Sequence, residues 1–459
     1  MRVLSRDEIK STNGDLPSGW VWGEIGNFCN LINGRAFKPT EWTSKGLPIV
    51  RIQNLNNEDA EFNYCDFQVD DKYIINRGQL LFAWSGTPGT SFGAHIWKKG
   101  KAVLNQHIFR VEINESNVDK IYLMYLLNRN IDEYIRKAHG TAGLAHITKG
   151  KFENSIIPIA PLTVQKLIVS EIEKQFSRLD EAVAALKRIK ANLKRYKAAV
   201  LKAAVEGKLT EEWRLLQIAR SRLKNKKIND TADLPDGWRC AKLAEVAEIN
   251  PKLPKNIPDN VEVSFLPMKA VQEEIGVIDL SITKKFGEVK KGYTSFINND
   301  IIFAKITPCM ENGKIAIVEN LKNGLGFGST EFHVIRLHEP KSKKYLFYFL
   351  LQRDIRKQAQ RNMTGTAGQL RVPAKFMQEI SVSLPPISEQ QKIVEEIESR
   401  LSVAGEIEAA VETNLKRAER LRQAILKKAF SGKLINADQN GNKMRVRTTF
   451  QRSIQRGAK

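Results

Sequence analysis

Apolar residues recur three and four positions apart along two long stretches of the chain. The first series is Ile168, Ile172, Phe176, Leu179, Val183, Leu186, Leu193, Tyr196 and Val200. The second is Ile393, Ile397, Leu401, Ala404, Val411, Leu415, Ala418, Leu421 and Ile425. On an α-helix this spacing gathers the apolar side chains into one stripe, as a coiled-coil seam requires. Pro161 and Pro386 mark the starts, because proline is tolerated in a first helical turn. Ser388 followed by Gln391 resembles a capping box, and Gly207 and Gly432 stand where a C-terminal cap falls. Roughly 40 helical residues at about 1.5 Å each span about 60 Å. A single stripe must be buried against something. The most economical partner is the other helix, packed antiparallel with a globular domain at each end. Packing of each helix on its own domain, or pairing of two chains, would also bury it.

Elsewhere the period shortens. Leu47–Ile52, Gln79–Trp84, Ile301–Ile306 and Lys314–Val318 are short apolar runs bounded by Gly and Asn, which predicts strands. Tyr122–Lys137 and Tyr345–Arg361 return to helical spacing. Polar loops rich in Gly, Thr and Asn lie between, and the run Gly324–Gly328 is read as one of them.

These patterns repeat. Leu16-Pro17-Ser18-Gly19-Trp20 recurs as Leu234-Pro235-Asp236-Gly237-Trp238, and Leu80-Leu81-Phe82-Ala83 as Ile301-Ile302-Phe303-Ala304. Tyr122-Leu123-Met124-Tyr125-Leu126-Leu127 recurs as Tyr345-Leu346-Phe347-Tyr348-Phe349-Leu350, and Gly140-Thr141-Ala142-Gly143 as Gly365-Thr366-Ala367-Gly368. From Pro161 to Leu209 the chain aligns without a gap to Pro386–Leu434, with roughly 19 of 49 positions identical. Residues 25–120 align poorly with their counterparts. The chain is a diverged tandem duplication, each copy with a variable front and a better-matched back. The expected division is 1–160, a first strand-rich domain; 161–209, a first helical region; 210–233, a linker; 234–385, a second strand-rich domain; 386–434, a second helical region; and 435–459, a basic tail.

Charge narrows the choice of partner. The net charge is +22 over 459 residues. It is spread over about +2 in residues 1–160, +6 in 161–209, +6 in 234–385, +1 in 386–434 and +5 in the tail. A positive excess distributed over both copies suits a polyanion, nucleic acid first. No hydrophobic leader opens the chain and no run of about 18 apolar residues occurs. Cys29, Cys65, Cys240 and Cys309 lie far apart in sequence, without a zinc spacing, and read as reduced thiols of a cytoplasmic protein.

Catalytic patterns are missing. There is no phosphate-cradling GxxxxGK[ST] loop, no amino-methyltransferase loop of the Asn/Asp-Pro-Pro-Tyr/Phe type, and no metal spacing among the six histidines. Pro258-Asp259 with Glu288-Val289-Lys290 fits a nuclease pattern only loosely, and His95 and His107 read as fold or loop residues.

Taken together, the chain resembles the specificity subunit of type I restriction–modification enzymes. The resemblance is carried by the paired Leu-Pro-x-Gly-Trp openings, the paired strands, Thr307–Lys314, Ser329-Thr330-Glu331-Phe332-His333-Val334 and the Gly-Thr-Ala-Gly turns. The helix openings Ala160–Gln165 and Pro385–Gln390 and the endings Gly207-Lys208-Leu209 and Gly432-Lys433-Leu434 complete it. One departure is Val164, where the family, like Glu389 here, usually has Glu. The implied fold is α+β: two mixed, strand-rich target recognition domains separated by two long antiparallel helices forming a coiled coil. The implied function is non-catalytic. Each domain would read half of a bipartite, asymmetric DNA site, and the helices would fix the unread gap. Two methyltransferase subunits would carry S-adenosylmethionine and modify adenine N6, flipping the base from the stack. Two motor–nuclease subunits, using ATP and Mg²⁺, would complete a phage-defence complex.

Base reading in the major groove needs donors and acceptors, Arg/Lys for guanine and Asn/Gln for adenine. The candidates in loops beside predicted strands are Arg51, Gln53, Asn54, Ser85 and Thr87 in copy one. In copy two they are Lys269, Gln272, Lys305, Thr307, Asn312 and Lys314. Thr141, Thr364 and Thr366, in or beside the Gly-Thr-Ala-Gly turns, would offer N–H and hydroxyl groups to phosphate. Each is otherwise a solvated loop residue. Two other functions fit the composition: a methyltransferase or nuclease with unfamiliar motifs, and a coiled-coil scaffold that binds RNA.

Overall fold

A computed structural model describes residues 16–57, 59–86, 92–137, 145–222, 234–253, 256–366 and 368–435. The chain divides into two compact units, residues 1–186 with 413–459, and residues 187–412. Each contains one strand-rich front and one end of each long helix.

In the first unit, four antiparallel strands run in the order Cys29–Asn33, Ile108–Ile113, Leu80–Ala83, Gly93–Ile96. A second sheet runs Asn63–Cys65, Leu47–Val50, Ala102–Leu104, Ile74–Ile75, with its central pair parallel. Leu80–Ala83 is buried throughout because both faces are covered. Leu80 and Phe82 join Phe109, Tyr122 and Phe152 in the main core, whereas Leu81 and Ala83 join Val50, Leu104 and Ile108 in another. A strand covered on two faces reads as an unbroken apolar run.

The second unit repeats this plan. Its antiparallel sheet runs Ala247–Ile249, Phe332–Leu337, Ile301–Ala304, Ile315–Ile317. Its other sheet runs Thr283–Lys285, Glu262–Leu266, Leu325–Gly328, Thr294–Ile297, again with a parallel central pair. Ile301 and Phe303 face one core, Ile302 and Ala304 the other. The fronts that align poorly in sequence therefore share strand order and direction. Each front is closed by two antiparallel strands, Val21–Glu24 with Ile156–Ile159 and Arg239–Lys242 with Ser381–Leu384.

The Gly-rich run is a strand, not the expected loop. Leu325–Gly328 is the third strand of its sheet. A Cβ on Gly326 would lie 2.2 Å from the Phe296 ring, and one on Gly328 would lie 2.4 Å from the Leu266 carbonyl oxygen. The glycines make room for packing, and nothing there cradles a phosphate.

The two long helices span Leu162–Val205 and Ile387–Ala429. In the first unit Ile168, Ile172 and Phe176 pack with Ile425, Ala429 and Phe430, and Arg422 pairs with Asp180. In the second, Val200, Leu201 and Ala204 share a core with Ile393, Val394 and Ile397. There Lys190 bonds Glu412 at 2.9 Å and Lys197 bonds Glu408, so one number rises as the other falls and the helices run antiparallel. Three local expectations change. Tyr196 is exposed while Leu193 and Val200 stay buried, because a 3.6-residue turn drifts from a strict heptad. Ser388 lies inside the first turn and caps nothing. The opening is held instead by Gln390, whose Nε2 donates to the Pro385 carbonyl at 2.9 Å, and by Gln165, which donates to Ala160 at 2.8 Å. Finally, the expected linker 210–233 begins as a helix, Glu211–Arg222.

Gly207 and Gly432 both cap in the left-handed region, at φ 71° and 70°. Each meets the Leu-Pro-x-Gly-Trp opening of its own unit. A Cβ on Gly432 would sit 2.1 Å from Pro17, and one on Gly207 would sit 2.7 Å from Pro235. The repeated motifs at the start and end of each copy are thus two halves of one contact, made once per unit.

Candidate nucleic-acid interface

In the second unit three segments meet beyond the end of strand Ile301–Ala304. Lys305 N–H donates to the Glu331 carbonyl at 2.9 Å, and Val372 N–H donates to the Lys305 carbonyl at 2.8 Å. Thr307 N–H reaches the Leu370 carbonyl at 3.1 Å, and Thr364 exchanges backbone bonds with Arg371 at 2.9 Å. Two side chains from Ser329–Val334 lock this arrangement. Glu331 takes the Arg371 guanidinium on both oxygens, which holds its carboxyl below the usual carboxylate range and raises Arg371. His333 is buried; its Nε2–H donates to the Val372 carbonyl at 2.8 Å, leaving Nδ1 to accept from Asn250 at 3.2 Å. Burial holds this histidine below its ordinary pKa. Two motifs far apart in sequence, one ending at His333 and one at Val372, therefore brace each other.

The loop Thr307–Lys314 closes on itself through Met310, Asn312, Gly313 and Lys314 N–H bonds to carbonyls of residues 306–310. The hairpin around Gln272 docks on it: Glu274 N–H donates to the Gly313 carbonyl at 3.0 Å, and Asn312 Nδ2 donates to Glu273 at 2.9 Å. Gly313, at φ 71°, permits this approach, since a Cβ there would meet Arg356 Nη1 at 2.8 Å.

The copy-two candidates fall together on these loops. Lys305 is half-buried beside Glu331, and its side chain makes no hydrogen bond or ion pair among the described residues. Gln272, Asn312, Thr364 and Thr366 are exposed. Thr307 Oγ1 donates to Glu311 at 2.5 Å, and Lys314 Nζ donates to the Met268 carbonyl at 3.2 Å, so both brace the loop. Lys269 is exposed on the neighbouring turn Met268–Ala270.

Copy one keeps two of these backbone bonds and changes the side chains. Trp84 N–H donates to the His107 carbonyl and Ile147 N–H to the Trp84 carbonyl, both at 3.2 Å. Trp84 thus stands where Lys305 stands, and His107 where Glu331 stands. Their rings meet edge to face at 5.4 Å, and Gln106 lies exposed beside them with Nε2 3.2 Å from His107. Among the candidate site residues the sequence offers, Trp84, Gln106, Glu331 and Arg371 are missing, and His107 is read there as a fold or loop residue. Their equivalence is set by sheet register, which the diverged fronts hide.

The remaining copy-one candidates scatter. Gln53 is exposed. Arg51 lies over the Trp42 ring at 5.1 Å and bonds Asn63. Asn54 is 3% exposed and engaged within its own loop: its Nδ2 holds the carbonyls of Ala60 and Glu61, and its Oδ1 accepts from Arg51 N–H. Ser85 is buried in a strand paired with Ala145–His146. Thr87 and Thr141 lie outside the described residues.

No group of three or more His, Cys, Asp or Glu among the described residues could hold a metal ion. Nor is any helix among them long and apolar enough to cross a membrane. All four cysteines are unpaired, and burial pushes the Cys29 thiol up to about 12.

The profile of the type I restriction modification DNA specificity domain matches residues 17–195 and 235–417, once per copy. The specificity subunit of the type I restriction enzyme EcoAI from Escherichia coli is 33% identical over 58% of this chain, which spans about half, 50%, of that relative's length. The EcoBI specificity subunit, also from Escherichia coli, is 26% identical over 91% of this chain and 87% of its own. A chain from a solved structure on complex assembly and conformational transition of the type I R-M system superposes with a TM-score of 0.60. It shares 19% identity and covers 92% of this chain and 100% of itself, a likeness of fold. With both copies matched, the chain belongs to the type I restriction–modification DNA specificity family, whose matched relatives are specificity subunits.

Proposed function

We propose that this chain reads a bipartite, asymmetric DNA site, one half per unit, and directs adenine-N6 methylation or cleavage by partner subunits. One observation carries the reading. The same two backbone bonds join the corresponding segments in both units, yet they present Lys305 and Glu331 in one and Trp84 and His107 in the other. A conserved scaffold with exchanged side chains is what two different sequence readers need. A single catalytic centre would give no reason for two unlike versions. Phosphate contacts from the basic surface would set affinity, and the loop side chains would set sequence. The two long helices would set the number of unread base pairs. S-adenosylmethionine would sit in two methyltransferase subunits, and ATP with Mg²⁺ in two motor–nuclease subunits, so this chain itself would hold none.

The test is a genome-wide map of N6-methyladenine in a host carrying the methyltransferase partner, with and without this chain. A gapped two-part motif that disappears with the chain supports the reading. Methylation unchanged by the deletion contradicts it.

A further inference from the structure

In the second unit a groove of about 740 Å³ runs between the first long helix and helix Arg353–Arg361. Lys194, Arg195, Lys197, Arg353, Arg356 and Lys357 line it, against two carboxylates, Glu274 and Glu311. Two of the six cations are committed. Lys197 pairs with Glu408, and Arg356 holds Glu274 and the Glu311 carbonyl at 2.6 Å each. Lys194, Arg195, Arg353 and Lys357 are exposed, and among the described residues only Arg195 of the four has a hydrogen bond, a neutral one to Asn192 at 2.9 Å. Arg353 and Lys357 are four residues apart on one helix, hence on one face about 6 Å apart.

The groove opens beside the candidate reading loops, because Glu274 and Glu311 belong to the segments that carry Gln272 and Asn312. A groove in the first unit shares two of these positions, Phe176 for Leu401 and Arg422 for Lys197, and is otherwise lined by a different stretch of the helix pair. Glu173, Asp180 and Glu181 line it, and Arg422 is spent on Asp180. At the positions of Lys194 and Arg195 the first unit carries Glu419 and Arg420, so the pair of cations there is not repeated.

Resting on the DNA-reading function above, we propose that this groove holds backbone phosphates of the duplex where it leaves the half-site read by the second unit, a contact the first unit lacks. A duplex offers a phosphate about every 3.4 Å per strand, so cations about 6 Å apart reach separate phosphates. Four exposed cations without an acidic partner among the described residues suit a polyanion that supplies several charges at once. Such a contact adds affinity without sequence information.

The test uses the complex of this chain with its methyltransferase partner, bound to gapped-site and scrambled duplexes between 50 and 300 mM salt, on the order of the range where phosphate contacts dominate. The variant is Lys194→Gln, Arg195→Gln, Arg353→Gln and Lys357→Gln together. Each lost phosphate contact reduces the slope of log K against log salt by about 0.9. The expected result is a slope shallower by about 3.6, affinity for both duplexes down by about ten- to a hundredfold at low salt, and an unchanged methylated motif. An unchanged slope in a complex that still assembles overturns the proposal. So does loss of the methyltransferase with an unchanged slope for whatever complex remains, which makes the groove a protein-docking surface. Failure of the unaltered complex to prefer the gapped site would instead contradict the proposed function. The slope is read on either duplex, so the two ideas fail separately.

Discussion

Glu389 is 2% exposed and fully engaged. Oε1 accepts from Thr210 at 2.8 Å and from Arg214 at 2.9 Å, and Oε2 accepts from Trp238 Nε1 at 3.0 Å. It ties the end of one long helix and the helix after it to the Trp of the second opening motif. In copy one the corresponding residues are Val164, Ile435 and Trp20, all packed on the main core. The Glu-to-Val departure is thus matched by a Thr-to-Ile exchange that removes the polar partner as well. Removing one member of a buried polar set costs more than replacing the set. Glu389→Val alone should destabilise the second unit by about 3 kcal/mol. Adding Thr210→Ile and Arg214→Leu should recover much of that in thermal unfolding; no recovery would show that the match is accidental. The departure was visible in the sequence. Its compensation was not, because residue 435 had been assigned to the tail.

His333 and Glu331 make the candidate loop they brace sensitive to acid. Burial depresses the His333 pKa, so its contribution is present above the ordinary histidine value, about 6.5, and fades as pH falls toward the lower folded value. The Glu331 contribution is present above the ordinary carboxylate value, about 4.3, and is lost as pH falls through its depressed one. Amide protection in residues 364–372, taken relative to the intrinsic exchange rate at each pH, should therefore fall first below about pH 6.5 and again in the carboxylate range. Protection unchanged down to pH 5 would contradict the histidine brace. Lys305→Ala should relax one position of a single half-site if the amine reads a base. A uniform loss across sequences with a smaller salt slope would reassign it to phosphate.

Elements were more legible than residues. The 3.6-residue stripe located both long helices, and the repeated apolar runs located the central strands, because core burial fixes those patterns. Strand order in the fronts was hidden, since short strands joined by long polar loops leave register unmarked. The Gly324–Gly328 run misled for a related reason: glycine marks loops, yet here the ring of Phe296 needs the space. The cap glycines can be tested directly. Gly432→Ala would place a Cβ in the left-handed region and against Pro17, costing at least about 1 kcal/mol. Gly207→Ala should act similarly through Pro235. A neutral effect of either on thermal unfolding would argue against the opening–ending contact in its unit.

For the whole molecule, the duplication and the distributed charge were readable from residues alone, and they carried the functional class. The grouping of the candidate residues was not, because it depends on which loops the sheets bring together. If the long helices set the gap, seven residues added to each, two turns and about 10 Å, should lengthen the unread segment by about three base pairs at 3.4 Å per step. An unchanged gap in the methylated motif would remove the ruler role. The most direct measurement is the motif methylated when residues 1–160 are replaced by the matching segment of a relative with another specificity. The expected result is one new half-site, with the other half and the gap retained. A motif that changes in both halves, or in neither, would contradict two independent readers on one chain.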